Sequence, residues 1–381
     1  MKNKNFKVSI SSFFILLFFS SCVKDAKIET NISNNEWDKT PYIIQYPTFL
    51  NNLSNQVISP NDNPLTKAGV ELGRRLFYEP MLSANNTQSC ATCHIQAFSF
   101  SDTAQFSVGI YGDKGTRNAP PIFNLAYQES KPADTIHRFF WDGSSINLER
   151  QSIVPIQSKI EMAAELKLVV NKLQSHPNYP GLFKNAFGTD SIHTYLIQKA
   201  LAQFERSVIS FNSKFDDFLS SRNFNIFTDS EKRGYVLFYS ENKPNELIKG
   251  GDCFHCHGQE KTFFGTDFQF HNNGLQKQPT DSGLFRITNN YNDIGKFKTP
   301  SLRNLAFTAP YMHDGSKKTL KEVIDFYDSG TTLSPWVDPN ISKHFPLGLQ
   351  LTEEQKQDLI SFILTMTDSS FVKKTVFSNP N

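Results

Sequence analysis

Two stretches decide how this chain is read: Ser89-Cys90-Ala91-Thr92-Cys93-His94 and Asp252-Cys253-Phe254-His255-Cys256-His257. Each contains C-x-x-C-H, two thiols within one turn of chain and an imidazole directly after them. Covalent attachment of a c-type haem needs this set: two sulfurs to add across the two vinyl groups and a nitrogen for the iron. Chance would place only on the order of 0.002 such pentads in a chain of this composition. Zinc held by the cysteine pairs is the competing reading, and the histidine beside each pair weighs against it. Cys90, Cys93, Cys253 and Cys256 are therefore expected to carry two haems, with His94 and His257 on the irons. His255, inside the second pentad, reads as an exposed filler.

The rest of the composition fits an exported protein. Lys2, Lys4 and Lys7 precede an apolar run from Val8 to Phe19, and Ser20-Ser21-Cys22 follows. A cationic start, a short apolar core and small residues make a signal peptide over 1–21, and the run is too short to span a bilayer comfortably. A cysteine after small residues resembles a lipobox, so Cys22 is expected to be lipidated and to anchor a tether and extended arm over 22–61. The expected place is the bacterial cell envelope, with membrane contact only through that anchor. The four pentad cysteines and Cys22 account for all five in the chain, leaving no pair for a structural disulfide. The formal charge of +2 falls to −1 without the three leader lysines, and no basic face invites nucleic acid.

The chain repeats itself around the pentads. Gly73-Arg74-Arg75-Leu76-Phe77-Tyr78 precedes the first and Gly234-Tyr235-Val236-Leu237-Phe238-Tyr239 the second. Pro120-Pro121-Ile122-Phe123-Asn124-Leu125-Ala126 answers Pro300-Ser301-Leu302-Arg303-Asn304-Leu305-Ala306, and Trp141-Asp142-Gly143-Ser144 answers His313-Asp314-Gly315-Ser316. Repeated order at similar spacing implies two copies of one small fold. Leu65, Gly69, Leu72 and Leu76 recur at helical spacing, as do Leu201, Phe204, Val208, Phe211, Phe215 and Phe218. Thr228 with Glu231 and Thr352 with Gln355 make capping boxes, the second opening a helix through Met366. No segment alternates as a strand. The expected fold is all-α: two tandem haem domains over 62–222 and 223–370, then a tail over 371–381.

Extending the repeat aligns Leu148 with Leu320, and therefore Pro155 with Tyr327. Proline has no donor for iron, whereas a phenolate does. If this position lies over the iron, the first haem is open and the second capped; both residues serving as packing is the equal alternative.

These motifs resemble the bacterial dihaem cytochrome c peroxidase family, MauG-type relatives included, from about Asn63 to about Thr367. The carriers are Leu72 to Phe77, the first pentad, Arg117-Asn118-Ala119-Pro120, Phe140-Trp141-Asp142-Gly143, Glu161-Met162, Thr299 to Asn304 and Ala309 to Gly315. The resemblance implies two cytochrome c-like domains, the N-terminal haem reacting with hydrogen peroxide and the C-terminal haem relaying electrons. It places Gln151 and Glu161 in the peroxide pocket, where a carboxyl can take a proton and return it. It puts Trp141 between the haems, and a calcium ion on Asn118 and the carbonyls of Thr308 and Pro310; an oxygen-only set suits calcium. Partners so implied are a small cytochrome c or copper-protein donor and, for assembly, a second copy of the chain.

Two departures stand out. Many such peroxidases cap the peroxide-reacting haem with a histidine on a loop after the first pentad; here Ser107 to Gly112 carries Ile110 in that place. Tyr327 stands where members with a His–Met haem carry methionine, the MauG-type pattern, with Met312 the other candidate ligand. A hard phenolate favours ferric iron and a low reduction potential. Peroxide reduction is therefore the first expectation, MauG-type oxidation of a partner protein the second, and a non-catalytic electron-transfer cytochrome the third.

Overall fold

The computed structural model describes residues 37–51, 57, 59–128, 139–243, 249–258 and 262–380. All of them fall in one compact unit, residues 35–381. The leader, Cys22 and the tether to residue 36 lie outside the described residues. Among those described, nine helices have six residues or more: α1 Lys67–Phe77, α2 Leu148–Gln157, α3 Leu166–Ser175, α4 Tyr179–Phe187, α5 Thr194–Ser207, α6 Lys214–Ser221, α7 Asp229–Phe238, α8 Leu320–Asp325 and α9 Glu353–Leu364. None is long and apolar enough to cross a membrane.

The fold is mostly helical, with one addition that the sequence did not betray. Strands β1 Phe270–His271 and β2 Phe297–Lys298 pair antiparallel, Phe270 opposite Lys298. Two residues a side are too few for a period-two pattern to register.

The duplication is physical. Helix α1 packs on α5 and α7 on α9, each through a glycine at the crossing. A Cβ on Gly73 would stand 1.9 Å from the Ala200 carbonyl oxygen, and one on Gly234 would stand 1.9 Å from that of Asp358. Only glycine lets the two backbones touch there. Asn124 and Asn304 are both left-handed, at φ 55° and 60°. They donate their backbone N–H to Val208 and Met366 respectively. The turns after them close alike, Phe139 to Ser145 and Tyr311 to Lys317, both at 2.7 Å.

Two hydrophobic cores follow, and their membership crosses the sequence divisions. The first runs from Val70 to Val208 and takes in Phe371 and Phe377; the second holds Leu50, Tyr127 and Ile209 to Met366. Helix α6, placed by the sequence before the boundary, contributes Phe215 and Leu219 to the second core. The aromatic stripe from Leu201 to Phe218 is not one helix. The Asn124 amide donates to the Ser210 carbonyl and its Oδ1 accepts the Ser210 N–H, occupying groups that a continuous helix would use. Ser213 and Asp216 then open α6 with a capping box.

Residues 371–380, expected as a tail, strap the first core instead. Phe371 packs against Phe100 and Phe123, and the Phe377 carbonyl accepts from Tyr78 Oη at 2.8 Å. The described part of the arm reaches both cores, through Tyr42 to the first and Leu50 to the second.

Candidate haem sites

Each pentad forms a single helical turn, Cys90–Cys93 and Phe254–His257. His94 Nδ1 lies 2.9 Å from the Phe100 carbonyl, and His257 Nδ1 lies 2.8 Å from that of Gly265. A carbonyl only accepts, so Nδ1 carries the hydrogen and Nε2 is left as the lone-pair donor, as iron requires. Burial holds both imidazoles below the ordinary histidine range, keeping them neutral. Burial likewise pushes all four thiols up. None of the four is in a disulfide. The residues fit a pair of covalently held haems.

A cavity opens beside His257 and collects much of what the sequence singled out. Its walls include Trp141, Asn118, Thr308, Pro310, Met312 and Tyr327, with Phe297, Leu302, Leu305 and Leu359 as apolar lining. Tyr327 follows α8 in a short π-helical turn, Phe326–Gly330. Asn147 caps α2 and Thr319 caps α8, so Pro155 and Tyr327 stand the same number of residues beyond their caps, although Pro155 lies within α2 and Tyr327 in the π-helical turn that follows α8. Burial pushes the Tyr327 phenol up to about 12. A phenol in that state gives up its proton to a strong Lewis acid and to little else. Asn273, which the sequence did not flag, donates to Tyr327 Oη at 3.3 Å and lies 3.6 Å from Met312 Sδ. The two candidate ligands thus share one neighbour.

Asn118 sits where the copies meet. Trp141 Nε1 donates to its carbonyl at 2.8 Å, and its own N–H donates to the His313 carbonyl at 2.8 Å. Trp141 and His313 are the repeat-equivalent residues, so one backbone unit is held from both copies. The Asn118 amide nitrogen donates to the carbonyls of Ala104 and Gln105, which leaves its Oδ1 for another partner. Arg117 completes the junction, 2.7 Å from Asp142 and 2.6 Å from Asp281. The ring of Phe297 stacks on His313 at 3.6 Å. Arg117 and His313 lay inside quoted motifs, but nothing in the sequence paired Arg117 with Asp281, 164 positions away, or His313 with Phe297.

The first pentad faces a different wall. The Glu161 carboxylate is near enough to Cys90 and Cys93 to help raise both thiols. Glu161 is an exposed residue, open to solvent on one side. Protein crowds the others, and that desolvation holds the carboxyl above the usual glutamate range, against a bond from Ser158. Ile110 donates its N–H to the Glu161 carbonyl at 2.9 Å. Gln151 is buried on α2 with its Oε1 unmatched by any protein donor. Such an atom marks a place for a ligand or ordered water. His255 is not the exposed filler expected: its Nε2 meets Glu241 at 3.0 Å and Asp252 at 3.5 Å beside Lys343.

Helical copies in tandem, each presenting a haem-attachment pentad and an oriented imidazole, define a dihaem c-type cytochrome. The family model described as di-haem cytochrome c peroxidase matches residues 67–223. Methylamine utilization protein MauG of Methylorubrum extorquens is 35% identical over 309 residues, 81% of this chain and 80% of its own. Cytochrome-c peroxidase IdrP1 of Pseudomonas sp. strain SCT is 32% identical over 346 residues, covering 81% and 83%. The crystal structure of a MauG-like protein associated with microbial copper homeostasis superposes with a TM-score of 0.77 at 33% identity, covering 89% of this chain and 99% of that one. The chain belongs to the dihaem cytochrome c peroxidase family, and it is an oxidoreductase of the peroxidase class.

Proposed function

We propose that the protein reduces hydrogen peroxide to water with electrons from a small cytochrome c or copper protein. The observation that carries this reading is the Glu161 carboxyl beside the first pentad, held above its ordinary range and backed by a loop that bears Ile110. A haem held by the first pentad would supply the redox iron through which the donor's electrons reach peroxide. Glu161 takes the proton of the incoming peroxide and returns it to the leaving oxygen. Gln151 Oε1 orients that oxygen, and Ile110 with Pro155 keeps the face clear of a competing ligand.

The second pentad would serve electron entry: His257 and Tyr327 are the residues that would hold its haem iron, and Trp141 lines the same cavity toward the first site. Asn118 Oδ1 and the Thr308 and Pro310 carbonyls are the oxygens that would hold a calcium ion at this junction. The chain acts in the cell envelope, anchored through a lipid on Cys22. A second reading, oxidation of a partner protein in the manner named for MauG, is favoured by Tyr327 lining the cavity of His257. Peroxide consumption by the purified holoprotein, with and without a reduced cytochrome, tests the choice. Donor-dependent turnover supports peroxide reduction. Peroxide uptake that no donor accelerates sinks it in favour of the second reading.

A further inference from the structure

Four oxygens converge on one lysine ammonium beneath the loop that leads into the first pentad. Lys172, in the last turn of α3, places Nζ 2.6 Å from the Ser83 carbonyl and 2.7 Å from Asn86 Oδ1. The Met81 and Ala84 carbonyls lie at 3.2 and 3.3 Å. Carbonyl and amide oxygens turned toward one point are how proteins replace the water shell of a monovalent cation. Here the compact, three-donor lysine head is itself the cation. Asn86 supplies its oxygen from a left-handed backbone, φ 61°, a region asparagine tolerates better than most. Without a positive charge at the centre, neighbouring carbonyls pointing together would repel and turn to water.

The gathered loop touches each part of the first site. The Ala84 N–H donates to the Met162 carbonyl at 2.9 Å, one residue from Glu161. Ser83 Oγ accepts the N–H of Thr87 and Gln88, fixing the approach to Ser89 and Cys90. Gln88 Nε2 donates to the Val108 carbonyl at 2.8 Å. Two residues on, the Ile110 N–H reaches Glu161 at 2.9 Å. The pentad, the Ile110 loop and the Glu161 segment are therefore tied to a single lysine-filled loop.

We propose that Lys172 is a built-in cation that organises residues 81–88 and thereby sets Glu161 against the first haem-attachment segment. It is a positioning residue, and its effect on peroxide chemistry rests on the role proposed above for Glu161. A built-in cation differs from ordinary packing in one respect: an external cation of the right size replaces it.

The test uses holoprotein carrying Lys172→Ala or Lys172→Met, read by two rates at the first haem: cyanide binding to the ferric form, which needs no turnover, and the reaction with peroxide. Both variants are expected to slow both rates about tenfold or more, as small misplacements do. Ammonium or potassium should restore the alanine variant, and tetramethylammonium, too large for the hole, should not. Wild-type rates in both variants, or slowed rates that no cation restores, would overturn the proposal. If the alanine variant is too unstable to isolate without salt, a melting temperature that rises with ammonium but not with tetramethylammonium supports the built-in cation. One that ignores both overturns it. The Glu161 role is judged separately, by Glu161→Gln; its failure would leave a cation-rescued cyanide rate, and hence the Lys172 assignment, standing.

Discussion

The Ile110 N–H donates to the Glu161 carbonyl at 2.9 Å, so the loop after the first pentad and the segment that carries the proposed acid–base group form one wall. An isoleucine built into that wall cannot cap an iron, and Pro155 on α2 cannot either. The resting ferric protein should therefore show one high-spin and one low-spin haem in electron paramagnetic resonance. Two low-spin signals would mean that another side chain ligates the first iron. Peroxide should also react without prior reduction of the second haem.

Glu161→Gln keeps the shape and removes the proton, so the peroxide reaction should slow about 10²–10⁴-fold. Desolvation holds the carboxyl above its ordinary range, so the basic form is lost as pH falls through that raised value. The acid limb of the rate profile should therefore lie above the usual glutamate range in the wild type and vanish in the variant. Unchanged rates with intact haem spectra would leave Glu161 an exposed side chain with no part in the proton transfer.

Tyr327→Met should convert the second haem toward a His–Met spectrum with a markedly higher reduction potential, because thioether sulfur favours ferrous iron where phenolate favours ferric. It should also favour turnover with a reduced cytochrome. If spectrum and potential ignore the change, Tyr327 is not the ligand, and Met312, across Asn273, becomes the residue to replace.

His271 is clamped between Asp338 at 2.7 Å and Asp267 at 2.9 Å. Burial alone would lower its pKa, but the two carboxylates outweigh it and lift it to about 9. A histidine raised in the folded state stabilises fully below its unfolded value near 6.5, and that contribution is lost as pH rises through about 9. Unfolding free energy measured by denaturant should fall by on the order of 2 kcal/mol between pH 6.5 and pH 9.5. In His271→Asn that slope should flatten; an equal slope in both proteins would assign it to other groups.

Gly234→Ala would drive a methyl into the Asp358 carbonyl, 1.9 Å from its ideal place, and prise α7 from α9. The expected loss is about 3 kcal/mol of stability, read from a thermal or denaturant transition. Gly181→Ala is the control: it lies in α4 with no atom within 4 Å of the new carbon, so the same change should be neutral or slightly stabilising.

The two haem attachments, the duplicated helical plan and the capping boxes were legible in the chain because each rests on residues within a few positions of one another. Two thiols and an imidazole in one turn, or Thr228 and Glu231 across three residues, state their chemistry locally. The matching offsets of Pro155 and Tyr327 from their helix caps were also readable, since a repeat carries order in its alignment. What the sequence could not give were contacts between segments far apart in the chain. Arg117 bridges Asp142 and Asp281, Phe371 returns to the first core, and Lys172 gathers the oxygens of residues 81 to 86 from almost ninety positions away. A charge, an aromatic ring or an amine has many candidate partners along a chain, and its composition favours none of them. Only the packing of the two copies decides which partner lies within reach, because close-packed cores leave each buried group a few neighbours in one arrangement.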